Sequence, residues 1–595
     1  MTGEEQKSDY RFYTAALVLI TICGGILRFH NLEGTSLFND ELSALSRLRF
    51  PNFRELITKG VAVDGHPAGV QAFLYYYTQV FGTSAIAIRL PFAIAGIFSI
   101  PVTYYWCRLW FGNATAIYVA AAVGFLELPL FYSQLARPYA IGFLVSQCLL
   151  LVWTKFTFEE RGKIKYAVLF ALLLVLSAYI HYLCLFFAAC ITLAGFSFIK
   201  KPDVRIYMLA IGAAIILFIP HIPLTVGHLQ EGGLDWIGKP GIDFFYRYPF
   251  YLFQESFLLI IMALGLVIYS LSGKAKSESL KKFQLLTLFL FLVPLLTAWL
   301  KSYFGKPVLQ YSLLIFEFPL FFGLIFSALK SDKITKALLP VWCAGILMIL
   351  LYERDYFVKE HYGQFKPLAD KYKEWRTMYT ADSVLFIANF NNPYYINYYL
   401  ENTDSIPFFS YRNDDLSKVD RIFKEIMATS KPYLAYGWSN IGNPRQLEDI
   451  INNRYRLIED EKHFNSGIRL YKAKNKEQEI FLAKPLNDLN IGKDSVFLEI
   501  PYRPVLFDRL VRVVISGSDT LPQDVSLAVV LDEKGTVKHW SAANTNDIRD
   551  DMPRDQLHYF GKIPVKDTSN TVLRVFLWNP KQRKFSLDTV LIEIY

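Results

Sequence analysis

The 595-residue chain lacks the short motifs that identify soluble nucleotide-using enzymes and zinc enzymes. It contains no GxGxxG, no GxxxxGK[ST], no HExxH and no DxD. Its six cysteines all lie in apolar runs or at their edges, so the soluble part contains no structural disulfide. Their spacing does not match that of a zinc site. The formal net charge of +9 is explained by basic loops beside anionic lipid, and nucleic acid is not indicated as a partner.

Long apolar runs, in contrast, fill roughly the first 352 residues. A helix needs about 20 apolar residues to cross a bilayer, and by this measure the sequence predicts eleven transmembrane helices. The runs lie near 11–29, 89–108, 114–132, 137–156, 166–199 (two spans with a turn at His181 and Tyr182), 204–223, 250–271, 283–300, 308–328 and 335–352. The polar first ten residues lack the basic start of a cleavable signal, so the first run is expected to be retained as a signal anchor.

The orientation follows from the basic loops. Fourteen basic residues lie in four short loops, which are expected to face the cytoplasm: 155–165, 200–205, 274–282 and 330–336. All four basic loops lie on the cytoplasmic side of the membrane only if eleven helices cross it, with the N-terminus inside and the C-terminus outside. The segment 66–82 then does not cross, and we expect a helix on the membrane surface within the first external segment, 30–88.

Composition changes to a soluble pattern from Glu353 onward. Strand-like runs alternate with helical patterns between 380 and 475, whereas the later runs are separated by turn residues alone. The sequence therefore predicts a transmembrane domain over 1–352, a small extracytoplasmic α/β domain over 353–475 and an extracytoplasmic β-sandwich over 476–595. For the sandwich, carbohydrate binding through exposed aromatics and a purely accessory packing role both stay open.

Several polar residues gather on the outer side in this topology. A carboxylate can act as a general base on a hydroxyl, Arg and Lys can neutralise phosphate oxygens, and charged groups at membrane depth are costly unless they serve a function. The candidates are Asp40, Glu41, His66, Arg89, Arg137, His181 and Lys306. Each also has a structural alternative: a helix start for the two acids, membrane anchoring for the arginines, and packing for the histidines.

Four motifs that contain candidate residues follow one another along the chain in the order FNDE, HPAG, RLPFAIAG and YSQLARPY. Over roughly residues 12–330 the sequence resembles the GT-C membrane glycosyltransferases, the superfamily of protein O-mannosyltransferases and lipid A aminoarabinose transferase. The resemblance implies transfer of a hexosyl or pentosyl group from a polyprenyl-phosphate carrier, usually with inversion. The acceptor would be a hydroxyl of a glycan, lipid or protein outside the cytoplasm, and the enzyme would lie in the bacterial inner membrane.

The resemblance also implies a role for the acidic pair. Asp40 is the expected general base, and Glu41 is expected to orient it or to hold a divalent metal ion together with it. No other cofactor is indicated.

The remaining candidates are expected to bind the donor. Arg89, Arg137 and Lys306 are expected to bind the lipid phosphate. His66, Tyr139 and His181 are further candidates for binding the substrate. Two departures from the family pattern matter: HPP has become His66, Pro67, Ala68, and Gln310 stands where relatives often have an Arg, which shifts weight onto Lys306. The alternatives to an enzyme are a transporter or flippase of a lipid-linked glycan, and a carbohydrate-binding scaffold.

Overall fold

The apolar runs of the first part form helices in the computed structural model, which describes residues 3–231, 237–271, 278–400, 416–441, 445–474, 480–547, 554–564 and 571–595. The chain divides into two compact units, residues 1–35 with 40–359, and residues 36–39 with 360–595. The α-helices up to residue 348 are α1 Gly3–Phe29, α2 Asn39–Arg47, α3 Phe53–Glu55, α4 Ala68–Phe81, α5 Ala85–Phe111, α6 Asn113–Phe125, α7 Glu127–Ser133, α8 Pro138–Phe158, α9 Lys163–Ile180, α10 Tyr182–Gly195, α11 Val204–Phe218, α12 Ile222–Glu231, α13 Phe244–Leu252, α14 Phe257–Leu271, α15 Glu278–Phe304, α16 Phe318–Phe326 and α17 Lys333–Met348.

Seven helical segments among the described residues are long and apolar enough to cross a membrane. The number rises to nine if each of two bent pairs counts as one span: α6 with α7 bends by 52°, and α13 with α14 by 84°. The fourteen-residue α10 is apolar but short. The prediction of a mostly helical multi-pass membrane protein is therefore confirmed, whereas the count of eleven is not.

The predicted span 308–328 is the clearest difference from the expectation. It contains a short 3₁₀ turn, Tyr311–Leu314, followed by the nine-residue α16. Nine residues of α-helix extend about 14 Å, roughly half of the hydrocarbon core. Pro319 stands at the start of α16, where its fixed φ and missing N–H fit a first turn and not a helix interior. Hydropathy reports the apolar character of this run but not the break.

The predicted break at His181 and a helix within 66–82 are both present. The run 166–199 breaks at His181, whose extended backbone ends α9 and whose Nδ1 accepts the N–H of Leu183 at the start of α10. The segment 66–82 contains α4, which packs against α9 so closely that a Cβ on Gly69 would lie 2.5 Å from the carbonyl oxygen of Tyr179. Glycine at this position of HPAG is therefore required by the approach of the two helices.

The second unit begins with a mixed sheet and its helices. The sheet has the order β1-β2-β4-β3, with β1 and β2 parallel and the other neighbours antiparallel. The elements are α18 Lys366–Tyr379, β1 Val384–Asn389, α19 Pro393–Tyr399, α20 Leu416–Ala428, β2 Tyr433–Ser439, α21 Arg445–Arg454, β3 Tyr455–His463 and β4 Ser466–Ala473. The strand-like run 406–411 lies outside the described residues.

Strand β1 is buried along its whole length because helices cover both of its faces. On one face Tyr372 of α18 stacks on Phe386 at 4.2 Å between ring centroids. On the other, Leu385 packs in a core with Val419 of α20 and Leu447 of α21. A continuous apolar strand beside helical patterns is typical of such a layer, as the sequence predicts.

The remaining strands form two four-stranded sheets, ordered β10-β7-β12-β5 and β6-β11-β8-β9. They are β5 Leu482–Ile491, β6 Ser495–Pro501, β7 Leu510–Ser516, β8 Ser526–Glu533, β9 Thr536–Asn544, β10 Gln556–Lys562, β11 Thr571–Trp578 and β12 Phe585–Ile594. The two sheets share one core, in which Val513 and Val590 meet Val529 and Val575. The outer face of the first sheet packs on α20 and α21 through Leu510 and Phe560.

A buried ion pair links α20 to this first sheet. Asp420 Oδ1 accepts hydrogen bonds from Nε (3.0 Å) and Nη2 (2.7 Å) of Arg512, which also pairs with Glu593. Burial alone raises the pKa of Asp420, but the nearby His558 imidazole, the hydrogen bond from Lys424 and the charge of Arg512 outweigh it, so that the pKa lies below the ordinary value. The charged pair therefore stabilises the packing of α20 at neutral pH.

Asp420→Asn is expected to destabilise the second unit by about 1.5–3 kcal/mol at pH 7, because it removes the charged acceptor of two Arg512 hydrogen bonds while the pair with Glu593 remains. Because the pKa of Asp420 is lowered, its contribution is complete at neutral pH and is lost as the pH falls below the ordinary aspartate range. Limited proteolysis of the full chain across temperature and pH measures both effects. Lys424→Ala removes an exposed partner of the same carboxylate and is the control; equal losses in the two variants would contradict the assignment.

Candidate active site

The two adjacent acids of FNDE have different surroundings, although both lie in the first turn of α2. Glu41 is fully buried, and each of its carboxylate oxygens has a partner. Oε1 accepts hydrogen bonds from Arg89 Nε (2.9 Å) and from the backbone N–H of Ala136 (2.8 Å), and Oε2 accepts one from Arg89 Nη2 (2.7 Å). The carboxylate of Glu41 thus connects the motifs FNDE, RLPFAIAG and YSQLARPY.

The guanidinium of Arg89 is occupied on its other side as well. Its Nη1 donates to the carbonyl oxygen of Leu32 (2.8 Å) and to Oγ1 of Thr35 (2.7 Å), and the side chain is 1% exposed. This differs from the expectation that Arg89 binds the lipid phosphate, because its donors are directed at protein acceptors. A bidentate arginine–carboxylate pair of this kind is strong and directional.

Asp40, in contrast, faces outward. Its side chain is 43% exposed, and Oδ2 lies 3.9 Å from Nε of Arg137, a residue immediately before α8. The guanidinium of Arg137 is buried and has few partners: Nη1 is 3.4 Å from the backbone oxygen of Asp40, and Nε has no hydrogen-bond partner among the described residues. A buried cation with unused donors beside a half-exposed carboxylate is suited to an anionic ligand.

The loop before α4 brings a second acid to Arg137. Asp64 Oδ1 is 2.6 Å from Nη1 of Arg47, and Nδ1 of His66 lies 3.2 Å from the Asp64 carbonyl oxygen and 3.5 Å from Oδ2. The same Nδ1 is 3.4 Å from Nη2 of Arg137. Burial raises the pKa of Asp64, but the hydrogen bond from His66 and the charges of Arg137 and Arg47 outweigh it and lower the pKa below its ordinary value.

We call these five residues the polar cluster: Asp40, Arg47, Asp64, His66 and Arg137. Its two arginines and two carboxylates balance, so with a neutral imidazole the cluster carries no net charge.

Aromatic rings border the polar cluster. The rings of His66 and His181 are 5.4 Å apart, and Tyr139 is 5.7 Å from His181 and 4.6 Å from Tyr132. The structure thus brings the rings of His66, Tyr139 and His181 together. Lys306 lies just beyond the end of α15 with its side chain exposed, and the contacts named above do not include it.

Gln134 of YSQLARPY has a structural task. Its Nε2 approaches three carbonyl oxygens at the end of α1, those of Leu27 (3.2 Å), Arg28 (3.3 Å) and His30 (3.0 Å). These carbonyls lack helical partners because the helix ends there. The motif therefore fastens α1 through Gln134 and brings Arg137 to the polar cluster three residues later.

Sequence reasoning missed Asp64 and Arg47, and a signal for both was present. Asp64 precedes His66 by two residues in VDGHPAG, and Arg47 follows Asp40 by seven residues, which places the two on one face of α2.

Two further histidines hold the loop that carries Asp64. His221 Nε2 accepts the N–H of Ala68 (3.0 Å), and His228 Nε2 lies 2.9 Å from the carbonyl oxygen of Val61. They stand seven residues apart in HIPLTVGH, on one face of the segment that ends in α12. Both ends of the loop are therefore attached to the same helical segment.

The acidic pair does not fit a shared metal ion. Both oxygens of the buried Glu41 carboxylate accept hydrogen bonds from Arg89 and Ala136, and its charge is paired with the Arg89 guanidinium. Across the described part of the chain, no group of three or more His, Cys, Asp or Glu side chains is arranged to hold a metal ion. We therefore assign no step to a metal held by this pair.

Comparison with known proteins gives likenesses in fold only. No protein-family model matches the chain. No curated protein matches it either. Solved structures that are similar include ArnT from Cupriavidus metallidurans bound to undecaprenyl phosphate, with 10% identity and a TM-score of 0.48 over 77% of this chain and 98% of that one.

Two others are arabinofuranosyltransferase AftD from Mycobacteria (9% identity, TM-score 0.45, 98% of this chain and 61% of that one) and the Archaeoglobus fulgidus oligosaccharyltransferase (10%, 0.39, 96% and 96%). At TM-scores below 0.5, the function of this chain is inferred from its own residues.

Arg89→Met is expected to lower the thermal unfolding midpoint of the detergent-solubilised protein sharply, because it leaves the buried Glu41 carboxylate without its arginine, a loss of about 3–5 kcal/mol. The double variant Arg89→Met with Glu41→Gln removes both charges and is expected to regain part of that loss. The exposed residue Arg54, changed to Met, is the control. An unchanged midpoint in Arg89→Met would contradict the structural role of the pair.

Proposed function

We propose that the protein is a membrane glycosyltransferase that moves a sugar from a polyprenyl-phosphate carrier to an acceptor hydroxyl on the extracytoplasmic face. The observation that carries the proposal is the half-exposed carboxylate of Asp40 beside the buried, incompletely partnered guanidinium of Arg137. Each of these groups supplies one half of the chemistry, a proton acceptor and an anion-binding cation.

Asp40 is the proposed general base. An acceptor hydroxyl placed against its carboxylate gives up its proton as the oxygen attacks the anomeric carbon. Attack from the side opposite the leaving phosphate inverts that carbon. Glu41 cannot exchange roles with Asp40 without breaking its hydrogen bonds to Arg89 and Ala136, so only one of the two acids is available.

Arg137 is the proposed site of the lipid phosphate. When the anomeric C–O bond breaks, its electron pair stays on the phosphate, whose charge rises from about −1 to −2. A fixed guanidinium in a site of low dielectric stabilises this charge without reorganisation. A phosphate that is matched in this way is a good leaving group, so the proposal needs no acid catalyst. A contribution of Lys306 to the same phosphate remains a prediction.

The Glu41–Arg89 pair is proposed to position these groups. Ala136, whose N–H is bound by Glu41, directly precedes Arg137, and Asp40 directly precedes Glu41 in α2. The pair thus fixes the backbone beside both the base and the phosphate ligand. This role replaces the direct phosphate contact expected for Arg89 and the metal contact expected for Glu41.

The topology and domain boundaries are part of the proposal. We propose a cytoplasmic N-terminus and an extracytoplasmic region after residue 352, which divides near residue 476. The charge distribution of the loops supports this orientation. The setting is proposed to be the bacterial inner membrane, where a polyprenyl-phosphate donor is available on the outer face.

Asp40→Asn is expected to lower transfer from a polyprenyl-phosphate sugar by roughly 10²–10⁴-fold with the fold intact, because an amide cannot take the acceptor's proton. Transfer to a labelled acceptor in detergent measures the effect. Glu33→Gln, which changes an exposed acid seven residues earlier, is the matched control. If Asp40→Asn transfers sugar at the wild-type rate, Asp40 is not the base. If Asp40→Asn and Glu33→Gln both move a lipid-linked glycan across the membrane of vesicles but transfer no sugar, the flippase alternative is favoured.

Arg137→Met is expected to weaken binding of polyprenyl phosphate by roughly 10- to 100-fold, since a hydrogen bond to a charged group contributes about 1.5–3 kcal/mol. Arg54→Met is again the control. Both can be measured by competition of polyprenyl phosphate against the donor. Equal competition in the wild type and Arg137→Met would remove this residue from the phosphate site.

A further inference from the structure

Three aromatic side chains share the outward face of the sheet β6-β11-β8-β9. Phe576 and Trp578 are alternate residues of β11, and Trp540 lies on β9, two strands away. The strand between them places the small Ala528 opposite Phe576. The Trp540 ring therefore reaches across, with its centroid 5.5 Å from that of Phe576 and 6.1 Å from that of Trp578. We call these three residues the aromatic face.

The two tryptophans are unusually open for their size. Trp540 is 46% exposed and Trp578 is 41% exposed, although the opposite side of the same sheet forms the core of the sandwich. Large aromatic side chains are normally buried, because their removal from water is strongly favourable. A cluster of them on a flat outer surface marks a binding surface more often than isolated exposed residues do.

Polar side chains surround the aromatic face at both ends. Beside Trp578, Asn544 Nδ2 donates to Ser526 Oγ (2.7 Å), and Asn546 Nδ2 donates to Asp524 Oδ1 (2.7 Å). These amides and hydroxyls are held in place by one another and by the strands, so their directions are fixed.

Among the residues that the structure describes, the charges around the aromatic face cancel. At one end Asp524 pairs with Lys581 and lies 3.8 Å from Arg583. At the other, Arg574 is 3.1 Å from Glu499 and 3.8 Å from Asp532. Three carboxylates thus meet three cations. An anionic polymer such as a nucleic acid finds no excess of positive charge here, which disfavours it as the ligand.

The combination fits one class of ligand. A sugar ring presents C–H groups on one face and hydroxyls around its edge, so aromatic rings can cover the face while amides, hydroxyls and carboxylates bind the edge. We propose that the aromatic face binds a neutral glycan chain, with sugar rings stacked on the side chains of Trp540 and Trp578. This binding does not depend on the proposed function.

The test uses the full chain in detergent and three soluble neutral polysaccharides as probes: mannan, galactan and dextran. Retention of the protein in native gels that contain each polysaccharide measures binding. The wild type is expected to be retarded by at least one of them, and Trp540→Ala and Trp578→Ala are each expected to weaken that retardation at least tenfold. Phe464→Ala, which removes an exposed aromatic between β3 and β4, is the matched control and is expected to bind normally.

Three outcomes would overturn the proposal. They are no retardation of the wild type by any of the three polysaccharides, equal retardation of the wild type and the tryptophan variants, and retardation that depends equally on Phe464. Failure of the aromatic face and failure of the proposed function are separated by Asp40→Asn. If Asp40→Asn loses transfer and the tryptophan variants still bind glycan, the enzyme assignment stands without the aromatic face. If the tryptophan variants lose binding while Asp40→Asn still transfers sugar, glycan binding stands and the base is wrong.

Discussion

The buried carboxylate of Glu41 is the constraint on which the candidate site depends. It binds the Arg89 guanidinium with two hydrogen bonds and the backbone of Ala136 with a third, and thereby joins three segments that are far apart in sequence. Charged groups removed from water need such complete pairing, because one missing partner leaves a costly unpaired charge. Asp40 directly precedes Glu41, and Arg137 directly follows Ala136. The hydrogen bonds of Glu41 therefore fix the positions of both residues.

This arrangement separates two acids that the sequence presents as equals. The helical turn of about 100° per residue directs neighbouring side chains to different sides of α2. Glu41 thus faces the protein and Asp40 faces outward. Adjacent carboxylates on a helix are poorly placed to share one ligand. Here the carboxylate of Glu41 is already paired with the Arg89 guanidinium. The sequence could therefore name the pair, but only the packing distinguishes their tasks.

Sequence patterns predicted those features that depend on local composition. The break at His181, the helix in 66–82 and the apolar strand β1 follow from the spacing of apolar residues and from residues that end helices. The pairing of Arg89 with Glu41 could not be predicted, because periodicity shows which residues lie near the membrane surface and not which charges meet there. The short α16 was missed for a related reason: hydropathy averages over a window that contains its break.

The loop with Asp64 and His66 is held by His221 and His228 through its two ends, at Ala68 and Val61. Its position is therefore set by a helical segment distant in sequence, while Asp40 is carried by α2. A tilt of that segment would move Asp64 relative to Arg137, and the ion pair between Asp64 and Arg47 would transmit the displacement to the end of α2. The position of the helical segment with His221 and His228 therefore sets the spacing of the charges in the polar cluster.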